Sequence, residues 1–156
     1  MPGDPLWTFA CDLYGRPSVA QACLLLQDEA GADVPVLLYL IWCARTGRPV
    51  DAAEVVRAEA CITSWRGKVI EPLRAVRRAM RSNLLPGQHI EACREGVKAA
   101  ELEAERLALA ALAASAPEPA GAAGPVDAVL TLYAAHLGAP WSAEAARALR
   151  TALAAS

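Results

Sequence analysis

Apolar residues run unbroken from Val34 to Ala44, eleven positions bounded by Asp33 and Arg45. A helix that is apolar on every side must be buried on nearly every side. A run of eleven residues is also too short to cross a bilayer, which takes roughly 20. The pattern predicts a core helix over about 34–45, and the rest of the chain has to wrap it. Asp33 is placed to cap this helix, and Pro35 suits its first turn.

Elsewhere the apolar positions recur at helical spacing. Trp7, Ala10, Cys11 and Tyr14 mark a helix over Leu6–Leu13 that ends near Gly15. Val19, Ala22, Cys23 and Leu26 mark a second, from Pro17 to near Gly31, a good C-cap residue. Asp51-Ala52-Ala53-Glu54 is a capping-box variant with Asp in place of Ser. It opens a helix with Val55, Val56, Ala58 and Ile62 expected inside, and the pattern resumes through Trp65, Val69, Leu73, Val76 and Met80. Pro72 has no N–H to offer the Lys68 carbonyl, which predicts a break or kink near Gly67 to Glu71. After a loop at 82–87 a long helix is expected from about Gln88 to Ala114. Ser115 to Pro125 holds three Pro and two Gly and reads as a linker. Two short helices follow, roughly 126–137 and 142–154, separated by Gly138-Ala139-Pro140.

No segment alternates with the period of a strand, and alanine, the best helix former, dominates. The expected fold is all-α: a compact bundle of five or six helices around 34–45, with a C-terminal helical pair. The expected organisation is a helical core domain over 1–114, an Ala/Pro/Gly linker at 115–125 and a helical hairpin over 126–156. At 156 residues the chain can bury a core without staples.

Charge changes the picture locally. The net charge of −2 sets up no global attraction to nucleic acid or to anionic membrane. Yet residues 66–98 carry eight Lys or Arg against three Glu, and both flanks are acidic. Arg74, Arg77, Arg78 and Arg81 fall at i, i+3, i+4 and i+7, along one stripe. Glu101 and Glu105 lie one turn apart on the long helix, where they repel unless cations sit nearby. The Arg stripe is the obvious supplier, because guanidinium and carboxylate pair bidentately. Gln27 and Asp28, at the end of the second helix, are candidates to join this polar cluster. Should Glu105 be the buried partner, Glu105→Ala is expected to cost a few kcal/mol. The four Trp residues read as dispersed core anchors, with Trp65 kept as a candidate binding-surface residue.

Other chemistries lack their residues. His89 and Cys93 share a helix face, but a zinc site needs three or four ligands and no other is at motif spacing. No Glu-x-x-His pair and no phosphate-binding loop occurs. No catalytic residue, metal or cofactor is expected. The five cysteines form no C-x-x-C, and each sits in a helical apolar context as a small buried hydrophobe. Met1-Pro2-Gly3-Asp4 lacks the basic and apolar regions of a secretory leader. These features point to a reduced, cytoplasmic setting.

Five segments together resemble a known family. They are Trp7-x-x-Ala10-x-x-Leu13-Tyr14, Val19-Ala20-x-x-Cys23-Leu24-x-Leu26-Gln27-Asp28, Gly31-Ala32-Asp33-Val34-x-x-Leu37-Leu38-x-x-x-Trp42, Trp65-x-x-x-Val69-Ile70-x-Pro72-Leu73-Arg74-x-x-Arg77-Arg78 and Lys98-x-x-Glu101-Leu102-x-Ala104-Glu105-Arg106. The chain resembles a proteobacterial family of small helical proteins classed as a domain of unknown function, over roughly residues 5–110. The resemblance implies a small helical protein with the same Arg and Glu positions, and it brings no catalytic residue with it. The first expectation for function is a non-enzymatic interaction or regulatory module, with a protein partner or a second copy and without membrane or nucleic acid. The alternative is a helical small-ligand-binding protein or enzyme, provided Gln27, Asp28, Arg74, Arg78, Glu101 and Glu105 converge on one pocket.

Overall fold

The computed structural model describes residues 4–138 and 141–154. Readings that fall on Met1–Gly3, Ala139, Pro140, Ala155 and Ser156 lie outside the described residues. The described residues are helical, with no strand.

Local chemistry sets the helix ends. Helix α1 (Pro5–Tyr14) starts where the Asp4 carboxylate accepts from the Leu6 N–H at 2.9 Å. Helix α2 (Pro17–Ala30) ends at Gly31, whose φ of 70° lies in the left-handed region that glycine enters freely. There the Ala32 N–H reaches the Leu26 carbonyl, which closes the last turn. Helix α3 (Val34–Arg45) is capped by Asp33, which accepts from the Val36 N–H at 3.0 Å. Helix α4 (Ala52–Trp65) is capped in the same way by Asp51.

The interruption expected near Pro72 takes the form of a π turn over Arg66–Ile70. The chain stays helical through it and continues as α5 (Glu71–Ala79), with Pro72 in the first turn. Widening the helix by one residue reroutes the backbone where proline removes a donor. Helix α6 (Glu91–Ala114) starts three residues after Gln88, and α7 (Val126–Leu137) and α8 (Ala143–Ala154) complete the chain.

Every residue from Pro35 to Ala44 is buried, as an all-round apolar helix requires. Helices α1, α2, α4, α6 and α7 all pack on α3. Helix α8 lies along α2, and Tyr133 of α7 and Leu149 of α8 are as buried as Leu37 or Ile41. One apolar cluster therefore runs from Leu6 to Leu153. By contrast, α5 buries no residue, and it leans on α6 as the outer arm of a hairpin. No helix among the described residues is long and apolar enough to cross a membrane.

The expectation of five buried cysteines holds for Cys23 and Cys43 only; Cys11, Cys61 and Cys93 are exposed. Cys11 and Cys61 sit one position off the buried stripe, where Ala10 and Ile62 take the inward place. Cys93 lies on the first turns of α6, ahead of its first buried residue, Glu101.

Residues 115–125 are tied down at two points. The Ala120 N–H donates to the Gly47 carbonyl at 2.9 Å, and the Gly124 N–H to the Ala44 carbonyl at 2.8 Å. Gly47 has a φ of 70°, and a Cβ there would overlap the Gly121 carbonyl oxygen. Gly47→Ala is thus strained both in its backbone and against the strap. We expect it to cost about 2–3 kcal/mol, measured by chemical denaturation. A loss within ~0.5 kcal/mol would mean that the strap moves aside freely.

Candidate ligand cleft

The α5–α6 hairpin carries the Arg stripe and the two carboxylates on facing surfaces. Three and four residues make one helical turn, so Arg74, Arg77 and Arg78 project from one side of α5. Glu101 and Glu105 meet them from α6. Arg77 grips Glu101 from two nitrogens, Nε to Oε2 at 2.5 Å and Nη2 to Oε1 at 3.3 Å. Arg74 is looser, with Nε 3.5 Å from Glu101 Oε1 and Nη2 3.6 Å from Glu105 Oε1.

The two carboxylates differ in their surroundings. Glu101 is buried, with 8% of the whole residue exposed. Burial pushes its carboxyl up, but the Arg77 hydrogen bonds and the charges of Arg77 and Arg74 outweigh it and hold it below the usual carboxylate range. Glu105 is pushed above that range by burial, with Glu101 and Asp33 adding to the push and Arg74 only partly opposing it. Both carboxylates meet the Arg stripe, Glu101 as the more buried partner and Glu105 as a partly buried one.

These groups form one side of a cleft of about 360 Å³. Helix α1 supplies Trp7, Ala10, Cys11 and Tyr14 to the same cleft. Leu24 and Gln27 come from α2, Pro35 and Leu38 from α3, and Leu102 and Leu109 from α6. The volume falls within the ~300–1,000 Å³ of small-molecule sites, and the mix of apolar wall and few polar groups is the usual one. A polar annex of about 160 Å³ adjoins it through Gln27, Val34 and Arg74, and reaches Asp33, Arg66 and Glu71. A wider depression between α2 and α8 is rimmed by Glu144, Arg147 and Thr151 and gathers no comparable set of charges.

Six of the eight residues singled out in the sequence line the cleft: Gln27, Arg74, Arg77, Arg78, Glu101 and Glu105. Asp28 does not; one step along α2 turns a side chain by about 100°, and it is exposed. Trp65 stands apart as well. The residue is 36% exposed, and its indole N–H donates to the Ala104 carbonyl at 2.9 Å, which braces α4 against α6.

Beside the annex lies a network absent from the sequence reading. Arg66, on the π turn, sits with Nε 2.6 Å from Asp33 Oδ2 and donates from Nη2 to Glu59 Oε2 at 2.6 Å. The Tyr133 hydroxyl donates to Glu59 Oε1 at 2.7 Å and accepts from the Asp33 N–H at 2.8 Å. This network joins α3, α4 and the π turn to α7. Asp33 was legible as a helix cap, and Gly67 with Pro72 flagged the region. Nothing local marked Tyr133, which is 74 residues from Glu59.

The model of the family described as a protein of unknown function, DUF2390, matches residues 5–112. The chain belongs to that family. Every residue lining the cleft and its annex falls inside the matched span, whereas Tyr133 and both C-terminal helices fall outside it. No curated protein and no solved structure matches the chain.

Proposed function

We propose that the chain is a non-enzymatic binding module of the cytoplasm, and that its α1–α5–α6 cleft holds a small amphipathic molecule. The supporting observation is convergence. Residues far apart in sequence, from Trp7 to Leu109, bring guanidinium and carboxylate groups into one cleft together with a mostly apolar set of side chains. A solvated charge lattice needs no such apolar set.

Binding is favoured over chemistry by the state of the groups at hand. Glu101 is locked as a paired carboxylate. The Cys11 thiol at the rim is pushed up by burial and by Asp12, so the nucleophilic thiolate is scarce. Neither His89 nor His136 lines the cleft. The five free thiols suit a reducing compartment.

Native mass spectrometry of the full chain, purified gently from its own host, tests this reading. The wild type is expected to retain a small molecule. Cys11→Trp, which plugs the rim at an exposed position, is expected to lose it while keeping its circular dichroism. Clean wild-type protein, or equal retention by Cys11→Trp, overturns the assignment.

A further inference from the structure

The charges on the cleft are not equally engaged. Glu101 has both oxygens on Arg77 and a third contact from Arg74. Arg77 is committed in return. Arg78 lines the same cleft but takes part in none of the ion pairs that join α5 to α6. Arg74 reaches its two carboxylates only at 3.5 and 3.6 Å. A tight charge-assisted hydrogen bond is about 2.7–2.9 Å. Donors are thus to spare on α5, while the best acceptor on α6 is already taken. Three guanidinium groups face two carboxylates, a formal excess of one positive charge.

We propose that the cleft selects a small organic monocarboxylate with an aromatic or branched apolar body. Its carboxylate is held by Arg78 and Arg74, and its body rests against Trp7, Tyr14 and Leu38. This inference rests on the cleft being a ligand site, and it adds the ligand's class. A single carboxylate cancels the excess charge, and its planar pair of oxygens matches the guanidinium fork. An amine would meet unpaired cations at the rim, with Glu105 as its only loosely held acceptor. An inorganic anion would make no use of the indole, phenol and Leu38 surfaces that line the cleft with the arginines.

Isothermal titration of the full chain with three probes of one shape tests the class: 3-phenylpropionate, its amide and 3-phenylpropylamine. The carboxylate is expected to bind, and the amide and amine to bind about tenfold more weakly or worse, the scale of one charge-assisted contact. Arg78→Gln is expected to weaken the carboxylate by a similar factor, and Arg78→Lys by less. Arg78 is exposed and outside the hairpin's ion pairs, so both variants should keep the wild-type unfolding midpoint. Equal binding of the amine, or carboxylate binding untouched by Arg78→Gln, overturns the proposal. If no probe binds but native mass spectrometry still finds a molecule that Cys11→Trp loses, the carboxylate class falls and the ligand site stands. If no probe binds and the wild type is clean, both fall.

Discussion

Arg66→Ala is expected to destabilise the protein by about 3–5 kcal/mol, the usual cost of removing one partner from a buried ion network. The variant leaves Asp33 and Glu59 facing each other with side-chain exposures of 8% and 13%. It also removes the cation around which α3, α4 and α7 meet through Tyr133. The cost should appear as a lower urea midpoint with an unchanged slope. Asp33 adds a pH signature. Burial already pushes its carboxyl up, Arg66 pulls it back and Glu59 pushes it further. Without Arg66 it rises again. A carboxyl whose folded value exceeds its unfolded one destabilises the fold at every pH above the folded value. That penalty fades as pH falls toward the ordinary range near 4. The deficit of Arg66→Ala should therefore be largest at neutral pH and shrink towards about pH 4. An equal deficit at both would show that Arg66 contributes through packing of its stem and not through charge.

Glu101→Ala comes second, at about 2–4 kcal/mol, because it strands Arg77 at a mostly buried position. Its effect should be local before it is global. Helix α5 buries no residue of its own, so the ion pairs to Glu101 and Glu105 are a large part of what holds it on α6. Hydrogen exchange in residues 71–79 should quicken more than in α3. The pH sign is opposite to that of Asp33. The Glu101 carboxyl is depressed in the fold, so its contribution is present above the unfolded value and is lost as pH falls through the folded one. Glu105→Ala, at a side chain 30% exposed and loosely paired, should cost less than half as much. A reversed order of these two variants would return the anchoring role to Glu105.

That pair shows where sequence reasoning stops. Glu101 and Glu105 share a residue type and a helix face, and each follows an alanine. What separates them is depth beneath α5 and α1, and helical spacing carries no information about depth. Gln27 and Asp28 show the same limit in another form. Both end α2, and only the way α2 is rotated against its neighbours brings the first to the cleft and leaves the second in solvent.

The sequence by itself determined the helices, most of their ends and the identity of the central one. Those follow from interactions within a few residues: the Asp33 and Asp51 caps, the glycines Gly31 and Gly138 at helix ends, the missing N–H of Pro72, and an apolar run with no polar face. It also placed the Arg stripe opposite the paired Glu residues, because complementary charge at matching spacing needs only two neighbouring helices. The tertiary structure alone decided the Trp7–Tyr14 wall of the cleft, the inward and outward cysteines, the choice of Glu101 as the buried anchor and the Tyr133–Glu59–Arg66–Asp33 network. Each of these depends on how three or more helices are stacked and rotated around α3. That arrangement is set by the volume and shape of the whole packed core, which no local spacing encodes.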